Sequence, residues 1–215
     1  MRKPLTGEKL EKELARLEAM KEFEKMYGEC RLICGIDEAG RGPLAGPVVA
    51  GAAVLPADCT ILYLNDSKKL SEKRREELYQ EITEKAVAWH VGTASPGRID
   101  EINILQATYE AMREAVNGLG IVPDLLLNDA VTIPGIPVRQ VPIVKGDARS
   151  VSIAAASILA KVTRDRLMTE YDRLYPEYAF AKNKGYGTAA HIAALKEYGP
   201  CAIHRRSFIG HFVPV

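Results

Sequence analysis

Asp37 and Glu38 are adjacent carboxylates at the end of an apolar run, followed at once by Gly40, Arg41 and Gly42 within GIDEAGRGPLAGPVV, residues 35–49. Carboxylates are costly to bury without a partner. Successive strand residues point to opposite faces, so both can serve one site only if the chain turns there, which the glycines permit. The same glycines let backbone N–H groups come close to a ligand. A phosphate-cradling nucleotide loop is the first alternative. The spacing of Gly40, Gly42 and Gly46 is not G-x-G-x-x-G, no GK[ST] follows, and VVAGAAV reads as strand rather than helix. A plain strand-to-turn junction, with Asp37 bonding the backbone and Glu38 facing solvent, would suit an isolated Asp-Glu pair. It suits a pair embedded in so specific a loop less well.

Other reactive types are dispersed. His90, His191, His204 and His211 form no acid–base pair in sequence; His90 reads as a strand residue and the others as lying on basic helical or loop surfaces, with His204 a candidate phosphate contact. Cys30, Cys34, Cys59 and Cys201 lack C-x-x-C spacing and read as reduced, partly buried thiols. Lys68 and Lys69 in NDSKKLS, together with Arg41, are candidate phosphate contacts, because paired lysines at a loop-to-helix junction have little structural reason to sit together. Lys161 and Asp165 have the four-residue spacing of an ordinary helical ion pair, so Asp165 is left outside any carboxylate group.

The elements that must position these residues follow from pattern. Leu10, Leu14, Leu17, Met20 and Phe23 recur near helical spacing, predicting one amphipathic helix over 8–27. Residues 31–37, 48–55 and 88–94 read as strands, with a helix over 71–86 between the second and third. A helix over 100–117 stops at Gly118, short strands follow at 124–127 and 138–144, and an alanine-rich helix covers 150–175. The rest reads as helical and loop-rich. The expected fold is α/β: a mixed five-stranded sheet flanked by helices, with a helical C-terminal region. The expected divisions are an N-terminal helix (1–30), a core (31–170) and a C-terminal region (171–215).

The 215 residues are 47% hydrophobic and 27% charged, with 29 basic and 28 acidic residues, which excludes a disordered or collagenous chain and a binder that works by bulk charge. The charge is unevenly placed. Residues 145–215 carry 11 basic and 6 acidic residues, or +5, and residues 1–144 carry 18 and 22, or −4. A basic C-terminal surface beside a more acidic first part is therefore expected. The charged N-terminus has no apolar core for a signal peptide or anchor, so the expected location is the cytoplasm, away from membranes.

Five ordered motifs together resemble one family, the type 2 ribonucleases H (ribonuclease HII): GIDEAGRGPLAGPVVAGAAVL from Gly35, LNDSKKLSEKRREELY from Leu64, VKGDARSVSIAAASILAKVTRDR from Val144, KGYGT from Lys184 and HRRSF from His204. The resemblance implies an RNase H-like fold and an endonuclease acting on RNA in RNA/DNA hybrids and on single ribonucleotides embedded in duplex DNA. It implies four catalytic, metal-holding carboxylates, matched here by Asp37, Glu38, Asp129 and Asp147. Asn128 precedes Asp129 where family members usually carry an apolar residue, so that match rests on the strand-end position and the 18-residue distance to Asp147.

Hard oxygen ligands with no accompanying His or Cys cluster suit Mg²⁺ or Mn²⁺ rather than zinc. Two such ions, roughly 3.5–4 Å apart, can bracket a phosphate, one activating water and the other stabilising the leaving oxygen. Without metal the carboxylates repel one another, which predicts raised pKa values. Main-chain groups of Gly40, Arg41 and Gly42 are expected to meet the ribose 2′-OH, and the resemblance adds Tyr186, whose ring stacks on the neighbouring sugar. Cutting 5′ to a lone ribonucleotide leaves no 2′-OH in place to attack, which disfavours a histidine-based cyclic-phosphate route. A monomer is expected. The sequence closes at IGHFVPV just past HRRSF, which speaks against sliding-clamp binding.

Overall fold

A computed structural model describes residues 6–214. The chain begins with two short helices, α1 (Glu8–Ala19) and α2 (Glu22–Met26), then forms β1 (Ile33–Ala39) and β2 (Val48–Val54). Helix α3 (Glu72–Lys85), strand β3 (Ala88–Ala94) and helix α4 (Pro96–Asn117) follow. After β4 (Leu125–Asp129) and β5 (Arg139–Ile143) comes the long α5 (Val151–Leu174), and the chain closes through α6 (Phe180–Asn183), α7 (Ala189–Tyr198) and α8 (Arg206–Ile209). The sheet order is β3-β2-β1-β4-β5, with β1–β2 and β2–β3 antiparallel and β1–β4 and β4–β5 parallel. This is the expected mixed five-stranded sheet.

Helices cover both faces. Ala107, Ala111, Met112 and Ala115 of α4 pack on Ile36, Val48, Ala50 and Ala52. On the other face Ala154, Ala155, Ala156, Ile158 and Leu159 of α5 join Leu78 and Ile82 of α3. The small residues of α5 let its backbone lie almost on the sheet. A Cβ at Gly51 would come within 2.4 Å of the Ala156 carbonyl oxygen, so glycine is required there for close approach.

Two helices depart from the sequence reading. The segment expected as one helix over 8–27 breaks between Ala19 and Glu22. Leu17 and Met20 are anchored in the cluster under α3, whereas Phe23 and Tyr27 pack on the cluster around Leu125, Leu127 and Ile143, and one straight helix would not reach both. Helix α4 starts at Pro96, earlier than residue 100, because the Ser95 side chain caps the Arg98 N–H at 3.1 Å and proline suits a first helical turn. It breaks at Asn103 (φ 68°), whose side-chain oxygen then caps the Leu105 and Gln106 amides. Among the described residues no helix is long and apolar enough to cross a membrane.

Because a methyl group at Gly51 would meet backbone atoms of Ala156 and Ala160, which cannot swing aside as a side chain can, Gly51→Ala should destabilise the chain by about 1–3 kcal/mol, the usual cost of overpacking. Urea unfolding checks this; an unchanged midpoint would contradict the tight α5–sheet contact.

Candidate active site

The parallel pairing of β1 with β4 runs to Ile36 opposite Asn128. One step further the same register sets Asp37 level with Asp129, so two carboxylates end neighbouring strands on the same edge. Strand β4 pairs with β5 through Asp129 opposite Ile143. The chain leaves β5 through Lys145 (φ 56°) into a 3-10 turn, Gly146–Ala148, whose Gly146 N–H donates to Asp129 Oδ1 at 2.8 Å. That bond brings the buried Asp147 beside Asp129. Ligands in parallel sheets gather at such carboxyl ends of strands.

No turn occurs at Asp37–Glu38, contrary to the expectation that one is needed. Strand β1 stays paired with β2 through Asp37↔Gly51, Glu38↔Ala50 and Ala39↔Val49. Asp37 shares the α5 side with Gly51, and Glu38 lies on the other. Both line one cleft of about 470 Å³ because that cleft wraps round the end of β1, where β4 no longer pairs with it. Gly40, Arg41, Gly42, Lys68 and Tyr186 line the same cleft.

Like charges dominate the electrostatics. Burial, then the charges of Glu38 and Asp129, push the Asp37 carboxyl well above the usual carboxylate range. Burial also raises Glu38, against the opposing pull of Arg41, whose Nη1 lies 3.4 Å from Glu38 Oε1. Asp147 is raised by burial and by Asp66. Glu38 Oε2 is buried with no hydrogen-bond partner, an orphaned hard donor of the kind a cation would satisfy. Among the described residues no three His, Cys, Asp or Glu side chains are gathered closely enough to hold a metal ion.

Asp66 escaped the sequence reading. It precedes the paired lysines in NDSKK and caps their 3-10 turn by accepting from the Lys68 N–H at 2.9 Å, and its carboxylate lies near enough to Asp147 to push that carboxyl up. An acidic residue at a turn reads as a cap, and nothing in its spacing pointed across the cleft. The two lysines divide. Burial works against the Lys68 ammonium, but the fields of Asp37, Asp66, Asp147 and Asp129 outweigh it and raise its pKa. Lys69 stands out in solvent, 3.8 Å from Asp66. Asp165 is taken up by Lys161 at 2.6 Å and Arg75 at 3.4 Å.

The third wall is built by residues whose roles were not read from sequence. Arg164 and Arg205 are fully buried. Arg164 donates to the carbonyls of Pro47, Ala45 and Lys184, and Arg205 to those of Gly40, Arg41 and Gly46. Gly40 (φ +96°) could not carry a side chain, since a Cβ would meet Arg164 at 2.0 Å. Tyr186 is 47% exposed, and a Cβ on Gly42 would lie 4.0 Å from its ring. The GRG loop and Tyr186 therefore face one another.

His191 and His204 are buried, not on basic surfaces, and His204 is no phosphate contact. Their Nε2 atoms lie 3.0 Å apart, His204 Nδ1 accepts from the Cys201 N–H, and His191 Nδ1 reaches the Tyr186 carbonyl at 2.9 Å. These partners fix one proton order, with His204 donating to His191 and His191 to Tyr186. Burial lowers His204 to about 4, so the pair is neutral at neutral pH. The four cysteines are free, Cys34 fully buried and the others partly so. Asn128, the departure noted before Asp129, is buried and donates to Gln140, which ties down the loop at Ile133.

An RNase H-like sheet with carboxylates at the ends of its central strands defines a metal-dependent nuclease. Residues 34–211 match the family model for Ribonuclease HII. The chain belongs to the ribonuclease HII family. Ribonuclease HII of Lachnoclostridium phytofermentans is 68% identical over 202 residues, spanning 94% of this chain and 80% of that protein. The crystal structure of ribonuclease H2 from Pyrococcus horikoshii OT3 is similar with a TM-score of 0.68 and 30% identity, covering 82% of this chain and 93% of that one. The ribonuclease HII of Archaeoglobus fulgidus, solved as a complex with PCNA, has a TM-score of 0.68 and 28% identity over 83% of this chain and 94% of that one.

A carboxylate whose folded pKa is raised holds its proton more tightly folded than unfolded, so its stabilisation is full below the ordinary carboxylate range and is lost as pH rises through the raised value. In chelator at pH 7, Asp37→Asn should therefore melt above wild type, by about 2–4 °C for each kcal/mol of repulsion relieved in a chain of this size. Mg²⁺ or Mn²⁺ should stabilise wild type more than the variant. Calorimetry at pH 5 and pH 8 checks both; a variant that melts lower at pH 8 in chelator would contradict the repulsion.

Proposed function

We propose that this ribonuclease H cuts on the 5′ side of a ribonucleotide, in RNA/DNA hybrids and at single ribonucleotides embedded in duplex DNA, leaving 3′-hydroxyl and 5′-phosphate ends. Its biological use would be ribonucleotide removal from DNA. The observation that carries this reading is one cleft that joins Asp37 and Glu38, with Asp129 level with Asp37 on the next strand, to the GRG loop and to Tyr186.

Asp37, Glu38, Asp129 and Asp147 are the residues that would hold Mg²⁺ or Mn²⁺, two ions during catalysis. The hard-oxygen donors, the raised carboxyls and the orphaned Glu38 Oε2 support that assignment. When bound, the ions would lower the pKa of the attacking water and stabilise the leaving 3′-oxygen. The chain's own residues do the rest. Asp66, whose charge acts on Asp147, would help to keep that carboxyl at the site. Lys68, held in the field of four carboxylates, would meet the phosphate next to the scissile one, with Lys69 and Arg41 further out on the backbone. Backbone groups of Gly40, Arg41 and Gly42 would read the 2′-OH, the one group by which ribose differs from deoxyribose, while the Tyr186 ring stacks on the adjoining sugar. In this reading residues 31–170 form the catalytic core and 171–215 the substrate-binding region behind Tyr186.

The test is a labelled DNA duplex with one ribonucleotide, incubated with Mg²⁺, with Mn²⁺ and with chelator. Cutting at one site under a metal and none in chelator is expected; an intact substrate under both metals would sink the proposal. Asp37→Asn and Asp129→Asn should each lower kcat by more than the roughly 10–100-fold that outer-shell partners of a metal usually cost, with binding largely kept. Full activity of Asp129→Asn would remove it from the ligand set. Tyr186→Ala should lose about 1–3 kcal/mol of stacking and with it preference for the single ribonucleotide, read as the ratio of kcat/KM on single-ribonucleotide and long-hybrid substrates.

A further inference from the structure

Beneath the cleft three segments distant in sequence are stitched edge to edge. The Leu44 N–H donates to the Gly185 carbonyl at 2.8 Å, the Gly46 N–H to Ile203 at 2.9 Å, and the Arg205 N–H to Leu44 at 2.9 Å, with an antiparallel bridge between Ala45 and His204. Arg205 lies at the centre of this seam. Its Nη2 donates to Gly40 at 2.6 Å and to Gly46 at 2.8 Å, its Nε to Gly46 at 3.0 Å and its Nη1 to Arg41 at 2.9 Å. All of these acceptors are carbonyls, and among the described residues no carboxylate bonds the guanidinium, Asp100 acting on it only through its field.

In a trans peptide the C=O and the following N–H point in opposite directions, and no peptide among the described residues is cis. Drawing the carbonyls of Gly40 and Arg41 inward therefore turns the amides of Arg41 and Gly42 outward, to the side where the Tyr186 ring stands. Among the described residues neither amide donates to another backbone carbonyl. Two free donors thus face an exposed aromatic ring across the cleft. Only a planar fork of several donors can hold carbonyls on both sides of it; a lysine supplies one compact charge.

We propose that Arg205 is a positioning residue for ribose selectivity: by holding the Gly40 and Arg41 carbonyls it aims the Arg41 and Gly42 amides at the 2′-hydroxyl and fixes their spacing from Tyr186. This rests on the reading that the cleft takes a ribonucleotide-containing duplex. The same segment also sets the other jaw, because His204, next to Arg205, holds His191 and through it the Tyr186 carbonyl.

The test compares two fluorescent duplexes that differ by one 2′-hydroxyl, with Ca²⁺ as the divalent ion, bound to wild type and to Arg205→Lys. The variant should lose at least about fivefold of the preference for the ribonucleotide duplex while its affinity for all-DNA duplex stays within about twofold; added guanidinium should restore selectivity to Arg205→Ala. An unchanged preference, or equal weakening on both duplexes, overturns the proposal. Hydrogen exchange on unaltered wild type bypasses any folding defect: the Leu44, Gly46 and Arg205 amides should be protected and open as one unit. Exchange of these amides at independent loop rates overturns it. Wild type with no preference between the duplexes overturns the underlying reading and the proposal together, whereas normal cutting with an indifferent Arg205→Lys overturns the proposal alone.

Discussion

Carboxylates that ionise side by side repel one another, and the rest of this molecule is arranged to hold them together regardless. The register of β1 on β4 sets Asp37 level with Asp129, and it cannot slip by one residue without moving every buried side chain of β4 to the opposite face, into a core cluster packed for another residue. The Gly146 N–H then fixes Asp129 and brings Asp147 alongside. Asp66 and Lys68 come from a different segment, and their turn is fastened by the buried Ser67–Ser157 hydrogen bond and by Arg75 donating to the Ser67 and Leu70 carbonyls. Strand register, one backbone amide and a side-chain clamp on the Asp66–Lys68 turn thus offset a Coulomb cost that the carboxylates cannot relieve themselves.

The opposite wall solves the inverse problem. A loop that must present amides outward has to bury its carbonyls, and buried carbonyls need donors. Arg164 and Arg205 supply them from α5 and from the segment before α8, at the cost of two desolvated cations: burial lowers both guanidinium pKa values, and Arg164 lowers Arg205 further by proximity, against the weaker opposing fields of Asp165 at Arg164 and Asp100 at Arg205. The buried carbonyls of this wall are held by guanidinium donors, whereas Glu38 Oε2 opposite is left without a partner. That asymmetry separates a wall whose buried acceptors are satisfied from one that leaves a buried carboxylate oxygen without a donor.

Much of this was legible in sequence where one local rule governs. Strand β3 spans the residues expected, and α5 differs from its expected range by one residue at each end, because periodicity and capping set both. The strand-end position of Asp129 was readable for the same reason. What was illegible depends on contacts between distant segments. The break at Met20 reflects two core clusters that share a helix, the role of Asp66 depends on Asp147 some 80 residues away, and the buried histidines were taken for surface residues because their partners, Cys201 and the Tyr186 carbonyl, carry no spacing signal. The expected turn at Asp37–Glu38 assumed a site on one face of the sheet, and a cleft that wraps round a strand end does not need it.

The same distinction changes how the charge imbalance works. The +5 of residues 145–215 was expected to be a basic surface, yet Arg164 and Arg205 are buried under the GRG loop, and Lys161, Arg166 and Arg173 are tied to Asp165, Glu76 and Glu170. Much of the imbalance is therefore not available for direct phosphate contact. The two buried cations still act on a polyanion, because they lie in a low-dielectric wall where a fixed charge is screened far less than at the surface. Placed opposite the carboxylates, they give the cleft a field that runs from negative at the strand ends to positive beneath the GRG loop. In the proposed reading a nucleic-acid backbone would be drawn toward the GRG wall while its scissile phosphate would be left to cations at the acidic one, so the positive charge that holds the fold would also orient the substrate.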